Sequence, residues 1–320
     1  ALLWVLNRLQ KRQRFGLFAV HVDHGLRPES GEDAAFVAVL CREWGLPCRI
    51  ARVQVAGKGE DAAREARYAA LAEACAQSGA QALALAHHQR DQAETLLLHL
   101  CRGSGTAGLC GMRQWAERPF PDGTALRLWR PLLHETPETL RALLMEQGVS
   151  WREDPTNSQD AYLRNFLRHR VLPVLAERIP GAEAAMDRAA LVLQGEDDCL
   201  AQLCRDFLAA HACLRPPCIF LMRLPFLALH PALQQRVLRA ASPVALDYDA
   251  TLRALALSPG QGVNLPEGWR LLCRKERLHF VPPSPVPATP GRLTETPYAG
   301  WPGDGKRCQA FPKAALAGAQ

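Results

Sequence analysis

Up to residue 178, apolar positions switch repeatedly between short continuous runs and a helical spacing, and that switching predicts the architecture. Leu2, Leu3, Leu6 and Leu9 mark one face of a first helix. Residues 15–21 read as a hydrophobic strand, 31–44 as an amphipathic helix, 48–55 as a second strand, 60–78 as a second helix and 81–86 as a short buried strand. Residues 91–100 follow as a helix whose Ala93, Leu96, Leu97 and Leu100 share a face. Strand and helix in alternation predict a parallel sheet with right-handed crossovers. Residues 126–133 add an edge strand or a connector, after which the pattern turns helical over 137–146, 161–178 and 181–210.

A domain boundary is expected near Ile179-Pro180-Gly181, giving an α/β domain over 1–178 and a smaller, mainly helical or α+β domain over 183–281. In the second, helices are expected near 231–241 and 248–257, and strands at 269–274 and 277–281 form a hairpin around Lys275-Glu276. From residue 282 the run PPSPVPATPGR is a stiff linker, and 293–320 is a Gly- and Pro-rich tail or the start of a further domain.

Composition narrows the class. The net charge of +6 is carried mostly by arginine, with only five lysines, which permits an anionic partner and suits phosphate and base stacking. Eleven cysteines without a C-x-x-C pair read as scattered reduced thiols, which points to a cytosolic setting. The N-terminal apolar run precedes its basic residues and is too short to span a bilayer, so neither a secretory signal nor a membrane anchor is expected. That first helix opens on an apolar residue with no Met and no capping side chain, and the chain looks cut from something longer.

The candidate chemistry gathers at strand ends, where open α/β sheets bind ligands. His21 to Arg27 (HVDHGLR) closes the first strand, either as a nucleotide-facing cluster or as a solvated strand end; ligation of one metal by His21 and His24 is disfavoured because residues three apart in a strand face opposite ways. His87 and His88 end the third strand, and Asp91 and Glu94 follow three apart on a helix, able to share Mg²⁺ or an ammonium group or simply to complement the helix dipole. Arg102-Gly103-Ser104-Gly105 either offers backbone amides to a phosphate or ends the helix. Arg64 and Tyr68 share a helical face, as do Arg164 and Arg168, a pair suited to gripping a phosphate or to facing solvent.

Together these pieces resemble one family, the tRNA(Ile)-lysidine synthetases of the PP-loop ATP-pyrophosphatase superfamily. The matching stretches are HVDHGLRPES at 21–30, REARYAAL at 64–71, AHHQRDQAET and RGSGTAGLCGM within 86–112, RPLL at 130–133 and WREDPTNSQDAYLRNFLRHRVLP at 151–173. The resemblance implies an adenine nucleotide alpha hydrolase-like, parallel-sheet nucleotide-binding domain. It implies a two-step reaction at the wobble cytidine of a tRNA(Ile) with a CAU anticodon, in which ATP adenylates the C2 oxygen and the ε-amine of L-lysine displaces AMP to give lysidine. Carried over residue by residue, Asp91 and Glu94 would bind Mg²⁺ or lysine, and Arg164 and Arg168 would meet the tRNA or the adenylated intermediate. His21, His24, Arg64, His87, Arg102 and Gly103 would line the nucleotide site. A homodimer is one open assembly state.

Two departures bear on activity. Arg90 stands where the family usually has the first of two adjacent aspartates, and no Ser-Gly-Gly-x-Asp-Ser occurs in the 320 residues, although Ala1-Leu2-Leu3 reads as the helix that follows such a loop. The expectation is that this polypeptide by itself does not catalyse adenylation, while the gene product it derives from does. Two alternatives stand beside this reading: a tRNA thiolase of the same superfamily, for which Cys101 and Cys110 are the nearby thiols, and a non-catalytic tRNA-binding remnant.

Overall fold

Two five-residue strands, each mixing apolar and polar positions, build the first ladder. The computed structural model of the chain describes residues 1–23, 25, 30–53, 60–120, 123–153, 163–216 and 218–283. After helix α1 (Leu2–Gln10), strand β1 (Ala19–Asp23) pairs in parallel with β2 (Cys48–Arg52), Ala19 opposite Cys48 and Asp23 opposite Arg52. The crossover between them is α2 (Ser30–Glu43), whose buried Cys41 packs with Ala19 and Leu46. A helix of this length returns the chain to the same end of the ladder, as a parallel pair requires.

Helix α3 (Glu60–Ser78) then leads to β3 (Leu83–Ala84), which pairs in parallel with β5 (Ala125–Trp129); β4 (Trp115–Pro119) closes this sheet antiparallel to β5, giving the order β3-β5-β4. Residues 125–129 are therefore a central strand and not an edge strand. The hairpin partner β4 was invisible to the apolar pattern because WAERP holds two charges and a proline, and its inner positions are covered by cross-strand register. Among the described residues β1-β2 and β3-β5-β4 are separate ladders. Tyr68 and Cys75 of α3 bury one face of the second ladder against Leu85, Leu126 and Leu128.

Between β3 and β4 run α4 (Gln89–Cys101) and the single turn α5 (Thr106–Leu109). The fully buried Gln92 accepts from the Met112 backbone N–H at 2.7 Å and donates to the Met112 carbonyl at 2.9 Å, so its amide continues the backbone pairing of the loop. Gly111 has φ +61°, and a Cβ there would meet the Gln92 amide oxygen at 2.7 Å, which explains a glycine at that place. After β5 come α6 (Pro137–Glu146), N-capped by Thr136, and a helical run made of α7 (Leu163–Phe166), a π-helical turn (Leu167–Val171) and α8 (Leu172–Arg178). Pro173 explains the wide turn: it has no N–H, and its ring would strike the carbonyl four residues earlier, so the ladder shifts and Leu172 donates to the Leu167 carbonyl.

Helix α9 (Ala182–His211) is 30 residues long and crosses the division between two compact units, 1–198 and 199–320. The break expected at Ile179-Pro180-Gly181 is the joint between α8 and α9, whereas the compact units part later. The first turns of α9 are tied into the first unit by Arg90 to Glu183, His134 to Asp187 and Arg113 to Asp197 and Asp198. In the second unit, β6 (Ala212–Arg215), β7 (Cys218–Met222), β8 (Gly262–Asn264), β9 (Arg270–Cys273) and β10 (Arg277–Val281) form an antiparallel sheet in the order β6-β7-β10-β9-β8. Helices α10 (Arg223–Leu227), α11 (Pro231–Ala241) and α12 (Tyr248–Leu255) complete the unit, burying Val237, Leu238 and Ala254 with Leu221, Leu271 and Leu278. The hairpin expected around Lys275-Glu276 is β9 and β10. Among the described residues no helix is long and apolar enough to cross a membrane. The tail from 284 lies outside the described residues.

Replacing Gln92 by Leu leaves the Met112 N–H without its partner, while the Met112 carbonyl keeps only the bond from Gln194 at 3.1 Å. The expected loss is about 2–3 kcal/mol, read from urea unfolding at constant m-value.

Candidate functional site

The carboxyl ends of β1, β3 and β5 carry the residues that converge. At the end of β3 the chain turns into α4 through a reciprocal cap: the Asp91 backbone N–H donates to His88 Nδ1 at 3.3 Å, and Asp91 Oδ2 accepts from the His88 backbone N–H at 2.9 Å. The cap satisfies helix-start amides and places a carboxylate where the helix dipole favours it. One turn on, Glu94 is completely buried. Arg168 reaches it from the π-helical turn, its Nε donating to Glu94 Oε1 at 2.6 Å and its Nη2 to Glu94 Oε2 at 3.1 Å and Asp91 Oδ1 at 3.1 Å. Burial pushes the Glu94 carboxyl above the ordinary carboxylate range, and the Arg168 guanidinium pulls against that rise. Arg164, one turn earlier, donates to Thr95 Oγ1 at a long 3.5 Å.

Beside this acidic notch lies a cationic pocket. Arg130, buried at the end of β5, donates from Nε to His87 Nδ1 at 3.2 Å and from Nη1 to the Arg113 carbonyl at 2.9 Å, and it hydrogen-bonds Tyr68. Burial, reinforced by Arg130, Arg164 and Arg67 against the opposing pull of Asp91, lowers His87 to about 4. His87 is therefore neutral at physiological pH, with Nδ1 accepting and Nε2 left as the donor. Arg67 also depresses the half-buried His21, whose lowering comes first from burial. Arg130 bonded to a neutral imidazole at a sheet's carboxyl edge, with Arg164 and Arg67 within electrostatic reach, makes a place for an anion with several oxygens, such as a phosphate.

The residues singled out from sequence divide accordingly. Asp91, Glu94 and Arg168 form one cluster, with Arg164 and His87 alongside it; His21 sits on β1 within the electrostatic reach of Arg67. Arg64 is exposed and lies over the Tyr68 ring at 5.7 Å. Arg102 and Gly103 are not brought to this edge: they end α4, about 17 Å along its axis from Asp91, and Gly103 takes φ +71° to stop the helix. His24 and the turn around Pro155 lie outside the described residues. Arg90 turns away from the notch to Glu138 at 2.8 Å and Glu183 at 3.1 Å, clamping the start of α4 to α6 and α9. Arg67 lies in REARYAAL, the helical stretch weighed both as a surface helix and as a nucleotide contact, whereas the signal for Arg130 is only its place directly after a strand, in RPLL.

All four oxygens of Asp91 and Glu94 already accept hydrogen bonds, three from Arg168 and one from the His88 backbone. Among the described residues no group of three or more His, Cys, Asp or Glu is placed to hold a metal. This arrangement does not fit Mg²⁺, which needs near-octahedral oxygen ligands at about 2.1 Å. The nitrogen cation it holds is the Arg168 guanidinium. Cys101 is exposed at the far end of α4, and Cys110 is buried with its thiol directed to the Thr106 and Leu193 carbonyls, so neither is presented at the edge.

Residues 1–175 match the PP-loop domain family. The chain belongs to that family. The PP-loop chain is 44% identical over 214 residues to a tRNA(Ile)-lysidine synthase from Alkalilimnicola ehrlichii, covering 66% of this chain and 46% of the relative. It is 40% identical over 288 residues to one from Thermus thermophilus, covering 85% and 53%. The chain thus spans about half the length of the curated relatives it matches. Among solved structures, the U34-tRNA thiolase NcsA from Methanococcus maripaludis with its [4Fe-4S] cluster aligns with a TM-score of 0.49 at 15% identity, over 60% of this chain and 67% of that one. That likeness is too slight to bear on chemistry.

Two outcomes are expected. Arg168→Met strands a buried carboxylate and should cost about 3 kcal/mol, while adding Glu94→Gln should recover part of it, a coupling readable from a double-mutant cycle in urea. Because His87 binds its proton less tightly when folded (about 4) than at its ordinary value of 6.5, the unfolded chain protonates first. Its contribution to stability is complete above about pH 6.5 and is lost as the pH falls towards 4. The His87 ring resonance should accordingly show no titration between pH 5 and 8 by NMR.

Proposed function

We propose that this chain forms part of a tRNA(Ile)-lysidine synthase. On this reading ATP activates the C2 oxygen of the wobble cytidine in a CAU anticodon, releasing pyrophosphate, and L-lysine then attacks C2 through its ε-amine and expels AMP. The observation that carries the reading is the adjacency of an arginine-rich pocket around His87 and an acidic notch formed by Asp91 and Glu94 at one sheet edge. An adenylate needs the first, since its phosphate carries the charge that the leaving group keeps. The α-ammonium of lysine needs the second, since a buried carboxylate pair selects a nitrogen cation.

On this reading the side chains divide the work. Arg130, Arg67 and Arg164 face the phosphate, and neutral His87 offers Nε2–H to a phosphate or base oxygen. Asp91 and Glu94 take the lysine ammonium, which must share the notch with Arg168 or turn it aside. Turning it aside is compatible with chemistry: Arg168 then meets the lysine carboxylate or the tRNA backbone with the same planar fork. The helical run of residues 163–178 is thus the natural carrier of the tRNA-facing arginines. A cytosolic setting goes with this reading. The thiolase alternative has no comparable support, because the nearby thiols are turned elsewhere.

The reading also holds that residues 1–320, which contain no Ser-Gly-Gly-x-Asp-Ser, do not release AMP by themselves. The test is filter binding of a CAU-anticodon tRNA(Ile) transcript and calorimetric binding of AMP to the chain. Salt-sensitive tRNA binding is expected, with AMP affinity lowered at least tenfold by Arg130→Met. Absence of both tRNA and AMP binding overturns the assignment, and ATP-dependent lysine transfer by these 320 residues overturns the requirement for the loop.

A further inference from the structure

The hairpin of β4 and β5 has one covered and one open face. Leu126 and Leu128 point into the core with Tyr68 and Leu85. The opposite face carries Trp115 across from Trp129 and Glu117 across from Arg127, by the register of the ladder. The two indoles are stacked, ring centroids 5.5 Å apart and planes 12° from parallel, and the Arg127 guanidinium lies 5.5 Å from the Trp115 ring centroid. Trp115 nonetheless leaves 49% of its surface in water. A tryptophan kept half exposed in a column of aromatic and guanidinium planes is poorly used if packing is its whole task, since its indole would be worth more inside.

Position adds the second argument. Trp129 is the last residue of β5, and the next residue, Arg130, holds His87. Trp129 is also paired with Ala84 at the end of β3. The column therefore stands at the carboxyl edge of the sheet, next to the residues proposed to handle the adenylate. Planar π faces alternating with arginine are the surface on which unpaired nucleotides stack, with little regard to sequence. The net charge of +6, carried mainly by arginine, favours the same polyanionic ligand.

We infer that Trp115, with Trp129 and Arg127, is a stacking platform for an unpaired base of RNA. The ligand class is single-stranded RNA, on the tRNA reading a nucleotide of the opened anticodon loop flanking the base that enters the site. The inference rests on that reading, and it assigns a binding role to a hairpin face that the acidic notch and the cationic pocket do not use. No covalent step occurs there.

The test is titration of a fluorescein-labelled CAU anticodon stem-loop against the 320-residue chain, with Trp115→Thr, which keeps strand propensity, and Trp115→Phe, which keeps a π face. Binding at least tenfold weaker for Trp115→Thr and within about twofold of the original for Trp115→Phe is expected from the usual worth of one base–aromatic stack. Equal binding by Trp115→Thr, with circular dichroism showing the same fold, overturns the platform and leaves a cross-strand packing pair. Should Trp115→Thr fail to fold, tryptophan emission decides: RNA should quench the original chain more than Trp115→Phe, and equal quenching overturns the inference. If the original chain binds no stem-loop at all, it is the tRNA reading that fails, an outcome distinct from loss in the variant alone.

Discussion

Glu94 has no contact with solvent, and the charge it carries is tolerable only because Arg168 meets it with two hydrogen bonds and extends a third to Asp91. A buried carboxylate without such a partner would be expelled or protonated. The pairing therefore fixes more than two side chains. It holds the start of α4 against the π-helical turn of residues 167–171, and that turn exists because Pro173 cannot continue an ordinary α-helical ladder. Arg90 completes the restraint from the other side of α4 by bonding Glu138 and Glu183. Without these clamps the His88 cap, and with it the direction in which His87 leaves β3, would be free to shift.

Around that fixed point the sheet edge separates two kinds of charge. Asp91 and Glu94 form the acidic side; Arg130, Arg67 and Arg164 crowd around His87 on the other. Burial of the ring, reinforced by the nearby arginines, keeps His87 neutral, so it serves as an oriented donor and not as a further cation. A reaction that brings together a phosphate ester and an amine has use for such a division, because one side stabilises the departing charge while the other orients the nucleophile. On the proposed reading the same edge continues outward through Trp129 to Trp115, where RNA would be held as a stacked strand.

The family pattern also contains residues whose work is structural. In the stretch RGSGTAGLCGM, Gly103 ends a helix, Gly111 makes room for Gln92, and Cys110 bonds the Leu193 carbonyl. Gln194 adds a bond to the Cys110 carbonyl at 2.9 Å. This loop looks like a phosphate cradle when read as a string of glycines. In the fold its Gly108, Cys110 and Met112 carbonyls accept from His99 and Gln92 of α4 and Gln194 of α9.

By itself the sequence determined the alternation of strands and helices through residue 86, the long helix after Pro180, the hairpin at 270–281 and the cluster of His87, Asp91 and Glu94 at a strand end, because each follows from local periodicity or from spacing along one element. Tertiary structure alone decided the rest. WAERP has no strand signature until β5 lies beside it, Arg130 is an ordinary arginine until His87 is in reach, and Arg168 reads as a solvent-facing residue until the helical run brings it to Glu94, 74 positions away. The same holds for the acids: two carboxylates three apart on a helix suit a metal, an ammonium or the helix dipole equally well. What settles their use is which partner crosses the space in front of them, and that depends on long-range packing that no local pattern encodes.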